Sequence, residues 1–214
     1  MVNGCDSNVY EKDMKAERKR VAELLKQGYP VVVEAASTKL TDPRTSDTNE
    51  TRLYVDPNTK LSGFYWYERN PDLYADEVET MKHYFPDFKS CTLSDGRKAW
   101  TGNLRPNGET GGVWNIMAVY EHNHPNNSTY GGSVKIYSIT PDLDELDSVI
   151  GPLPHVLTDD EGCHYMCTSR IGDTKVGAKS ASAATHLANA SKWIKLVEDW
   201  MEGIVGDEIF QEVY

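Results

Sequence analysis

The sequence predicts an α+β fold: an N-terminal helix, a four-stranded antiparallel meander, and a C-terminal helix packed on the sheet, preceded by an N-terminal extension. Three observations carry this expectation. Residues 72–84 and 182–201 place apolar side chains at helical spacing, and four short segments between residues 89 and 139 are rich in β-branched and aromatic residues. Asp95-Gly96, Asn107-Gly108 and Gly131-Gly132 mark the turns or loop ends between those segments. At 214 residues, of which 39% are hydrophobic, the chain can bury one ordinary core.

Taken in order, residues 11–27 are helix formers with Met14, Val21, Leu24 and Leu25 near one stripe and Gly28 as the stop. Residues 29–34 read as a short strand, and residues 37–58, rich in Thr, Ser, Asp, Asn and Pro, as a mobile loop. Residues 1–60 are therefore expected to form a helical extension with a loop, and residues 61–214 the main domain. Apolar density restarts at Phe64-Tyr65-Trp66-Tyr67. The helix at 72–84, with Leu73, Val78, Met81 and Tyr84 inward, ends at Phe85-Pro86-Asp87-Phe88. Strands follow at 89–93, 99–104, 113–120 and 133–139. In the last helix Leu187, Ala190, Ile194, Val197 and Met201 form the stripe, Trp193 and Trp200 widen it, and Gly203 stops it. There is no internal repeat.

A formal charge of -11 repels phosphate backbones and anionic bilayers, so neither nucleic acid nor a membrane is an expected partner. No window is apolar enough to span a bilayer and no secretion signal opens the sequence, so a cytoplasmic location is expected. In that reducing compartment Cys5, Cys91, Cys163 and Cys167 are expected as free thiols. Cys5 and Cys91 read as incidental or structural, and the five tryptophans as core.

The segment from Pro152 to Cys167 is the candidate site. A Pro-framed histidine, His155, precedes a turn at residues 159–162 and a strand at 163–167 that carries Cys163 and Cys167. This order displays a thiol near a polar group on a rigid strand. Cys163, His164, Cys167 and His155 are also a conceivable zinc set. However, Cys163 and Cys167 share a strand face that His164 does not, and a structural site generally joins two separated ligand pairs, so no metal and no cofactor are expected.

The order of Phe85-Pro86-Asp87-Phe88, Trp100 to Pro106, Pro141-Asp142-Leu143, Leu153-Pro154-His155, Met166-Cys167 and Trp193 to Trp200 with Gly203 resembles the ubiquitin-conjugating enzyme fold. The likeness is greatest to its divergent bacterial relatives, found in antiphage defence and ubiquitin-like conjugation operons, and covers residues 72 to about 210. It implies a transferase with a cysteine thioester intermediate at Cys167 or Cys163, with His155 ordering the loop. It implies an activating-enzyme-like, adenylating partner, and a ubiquitin-like protein or other C-terminal substrate as cargo. The family's His-Pro-Asn triplet ahead of the cysteine is missing, since Val156 and Leu157 follow His155, and the literal His124-Pro125-Asn126 reads as a turn. Met166 supplies the apolar residue that the family sets before its cysteine, which favours Cys167 over Cys163. The alternative function is a catalytically inactive binding or adaptor module of the same fold.

Overall fold

The computed structural model describes residues 7–28, 65–127, 132–169, 177 and 179–210. The strand at 29–34, the loop at 37–58 and Cys5 lie outside the described residues. The elements are α1 (Ser7–Lys26), α2 (Trp66–Arg69), α3 (Pro71–Tyr84), β1 (Lys89–Thr92), β2 (Lys98–Leu104), β3 (Trp114–Tyr120), β4 (Val134–Thr140), α4 (Leu143–Ile150), β5 (Val156–Thr158), β6 (His164–Met166) and α5 (Ala183–Met201). Among the described residues the chain is α+β, with an antiparallel sheet of six strands in the order β1-β2-β3-β4-β6-β5.

Local chemistry sets the helix ends. Asn70 accepts a hydrogen bond from the Leu73 N–H and Pro71 occupies the first turn of α3. Asp142 accepts from the N–H groups of Asp144 and Glu145 at the start of α4, and Ser182 accepts from that of Thr185 at the start of α5. Gly203, at φ 74°, follows α5 in the left-handed conformation that a helix stop favours.

The expected meander is present as β1 to β4, but the sheet has six strands where four were expected. The β5–β6 hairpin adds to the β4 edge, with Ile136 opposite Met166. Its second strand, β6, falls within the strand expected at 163–167; β5 escapes a periodicity reading because it has three residues, too few to show alternation, and is held by its partner rather than by propensity. The helix α4 was likewise not anticipated, although Leu143, Leu146 and Ile150 are all buried at helical spacing.

Alternation divides the sheet's side chains between two apolar clusters. Trp114, Ile116, Ala118, Tyr120, Ile136 and Met166 join the main core beneath α5, with α1, α3 and α4 packed around it. Met117, Val119, Tyr137 and Tyr165 lie on the other face with Leu93 and Ala99, and Cys91 and Cys163 pack against them. α1 belongs to the main core through Val21, Ala22 and Leu25, and Arg18 stacks on Trp200 at 3.8 Å while its Nε donates to the Ile150 carbonyl. No helix of the described residues is long and apolar enough to cross a membrane.

Candidate active site

The hairpin that carries both cysteines is fastened at each end. At its turn, Asp159 Oδ1 accepts the N–H groups of Glu161 (3.0 Å) and Cys163 (2.8 Å), while Oδ2 accepts the Tyr137 hydroxyl at 2.8 Å. Gly162 completes the turn at φ 87°. At the open end, Trp193 Nε1 donates to the Pro154 carbonyl (2.9 Å), and Asp147 Oδ1 accepts the Leu153 N–H (2.8 Å). The Leu153-Pro154-His155 block is thereby tied to α5 and α4.

Cys167 and His155 meet across the ladder through their backbones: the Cys167 N–H donates to the His155 carbonyl at 2.9 Å. His155 adopts φ 54°, and its ring stacks on Phe210 of the main core at 29° between planes and 6.2 Å between centroids. By alternation from Met166, which joins the main core, Cys167 takes the opposite face. His155 therefore orders the strand end through its carbonyl, and its imidazole is directed to Phe210.

The two thiols are partly buried and differ in surroundings. Cys163 is pushed above the ordinary thiol range by burial and then by the carboxylates of Asp159, Glu161, Asp144 and Asp142. Burial alone pushes Cys167 up. Its Sγ donates to the Ser169 carbonyl at 3.7 Å. Neither is a preformed thiolate at neutral pH, and both are free cysteines. Flanking β6 four residues apart in extended chain, they sit roughly 13 Å from each other, beyond disulfide reach. His164 leaves this face altogether, its Nδ1 lying 2.6 Å from Asp144 Oδ1 on α4. Among the described residues no three His, Cys, Asp or Glu side chains gather where they could hold a metal ion.

Sequence reasoning missed what stands immediately beyond Cys167. His186, on the first turns of α5, is 3% exposed and contacts Thr168 Oγ1 at 2.8 Å and Ser169 Oγ at 3.4 Å through Nδ1, and Ser180 Oγ at 3.1 Å through Nε2. Asn189 Nδ2 donates to the Thr168 carbonyl at 2.8 Å. A histidine inside an apolar helix carries no signal of its own; the hydroxyls that surround it come from two other segments. His124-Pro125-Asn126 forms the expected turn, and it adjoins the same region. The Ser180 N–H donates to the Pro125 carbonyl (2.6 Å), and the buried His124 ring contacts Ser133 Oγ at 3.1 Å through Nδ1.

A partly exposed thiol at the end of a pinned strand can attack an activated acyl group presented from outside. It can equally serve as a packing residue at a binding surface. No family model, curated protein or solved structure matches this chain.

Proposed function

We propose that the chain is a ubiquitin-conjugating-like carrier that accepts the C-terminal acyl group of a ubiquitin-like or other protein on Cys167. The observation that supports this most is the backbone pairing of Cys167 with His155 in a hairpin anchored by α4 and α5, which holds a partly buried cysteine at the strand end. In the transfer the Cys167 sulfur attacks the carbonyl carbon of a donor thioester, the donor's C–S bond breaks, and its thiolate leaves with the proton that Cys167 gave up. The exchange is close to thermoneutral, so a raised thiol slows it without forbidding it. Cys163 is the weaker candidate because four carboxylates oppose its thiolate.

The test is incubation with an adenylating, activating-enzyme-like protein, ATP and its ubiquitin-like cargo. A thiol-sensitive adduct that disappears in Cys167→Ala and persists in Cys163→Ala is expected. An adduct that survives both substitutions together removes the proposal.

A second reading is favoured by a specific observation: both thiols are raised and the His155 ring is stacked on Phe210. In that reading the fold is a binding or adaptor module for a ubiquitin-like protein. Capture of the cargo without a covalent adduct, unaltered in the double cysteine variant, selects it.

A further inference from the structure

Three side chains from separate stretches of chain line up at the start of α5 in the order hydroxyl, imidazole, hydroxyl. Ser180 Oγ is 3.1 Å from His186 Nε2, and His186 Nδ1 is 2.8 Å from Thr168 Oγ1. Ser180 is partly exposed whereas His186 and Thr168 are buried. With Ser169 Oγ also near Nδ1, two hydroxyl oxygens are available to an Nδ1–H proton. In that tautomer Nε2 is the acceptor of the Ser180 hydroxyl.

Helix capping does not account for Ser180. Ser182 caps α5, accepting the Thr185 N–H at 3.2 Å. Ser180 lies two residues earlier, with its backbone N–H on the Pro125 carbonyl and Lys179 paired with Asn126.

We propose that Ser180, activated by His186 and oriented through Thr168, is a second nucleophile that accepts acyl or phosphonyl groups from activated esters, independently of the thiols. Ser180 Oγ bonds to the electrophilic carbon or phosphorus, its proton passes to His186 Nε2, and the leaving group departs, taking that proton when it is basic enough. A hydroxyl behind the imidazole supports the developing imidazolium less than a carboxylate does, so modification is a slow single event.

The experiment treats the full chain with a fluorophosphonate probe, in which fluoride leaves as the Oγ–P bond forms, and maps the labelled peptide by mass spectrometry. The expected result is one label at Ser180, none in Ser180→Ala, and labelling retained in the Cys163→Ala/Cys167→Ala variant. The rate should fall about a hundredfold in His186→Gln, the low end of what a positioned general base contributes. If that buried substitution unfolds the protein, the pH profile of the unsubstituted chain decides. Ser180 labelling that follows a single titration between about pH 5 and 8 upholds the relay. A rate that simply tracks hydroxide, or labelling of Ser180 no faster than of Ser182, overturns it.

Discussion

Glu198 is 3% exposed and accepts three hydrogen bonds, from the Gly112 N–H at 2.8 Å, Trp114 Nε1 at 2.9 Å and Asn107 Nδ2 at 2.7 Å. It ties α5 to the loop that enters β3. Glu198→Ala leaves two buried donors without an acceptor and should cost about 3 kcal/mol, each orphaned donor being worth roughly 1–3 kcal/mol. The urea midpoint measures this; a shift within error would show that the carboxylate contributes nothing net. The thiols can be told apart by salt. Carboxylates contribute to the shift at Cys163 and burial causes that at Cys167. Iodoacetamide alkylation of Cys163 should therefore accelerate as salt shortens the Debye length, to about 3 Å at 1 M, while that of Cys167 stays constant. Equal responses at the two positions would refute the assignment of causes.

The β5–β6 hairpin depends on Asp159, which holds Tyr137, Glu161 and Cys163 together. Asp159→Ala should destabilise the protein by roughly 2 kcal/mol. It should also speed amide exchange at Tyr165 and Met166 more than in β2 or β3, because the hairpin is the short outer part of the sheet. Uniform acceleration across all strands would instead mean that the hairpin does not open by itself. Among the elements, α3, α5 and the four meander strands were legible because each carries enough residues for its period to show. β6 falls within the strand expected at 163–167, whereas β5, with three residues, is too short for a period to show, and α4 was passed over even though Asp142, Leu143, Leu146 and Ile150 spell a capped amphipathic turn.

For the whole molecule, two buried groups set opposing pH dependences. His124 is held down to about 4 by burial and then by His186, so between pH 6.5 and 4 the unfolded chain binds the extra proton and stability falls as pH falls. The full loss is on the order of 3 kcal/mol. Glu77, raised by burial while accepting from Tyr120 and the Ala183 N–H, works in the opposite sense: its contribution is present below its ordinary carboxyl range and lost as pH rises through the folded value. His124→Gln should therefore flatten the acid limb of the urea midpoint against pH and leave the Glu77 slope exposed. An unchanged acid limb would remove His124 from the account. By itself the sequence determined that the chain is α+β, that the meander precedes a helix that covers it, and that a short strand follows the Pro-framed histidine, although that strand spans His164–Met166 and the two cysteines flank it. These follow from side-chain period and turn chemistry, which are local. Only the tertiary structure decided that the sheet has six strands among the described residues, that His155 meets Cys167 through its carbonyl while its ring turns to Phe210, and that His186 gathers hydroxyls from two segments that precede it. Those depend on long-range pairing and on a single left-handed residue, neither of which leaves a periodic trace in the order of amino acids.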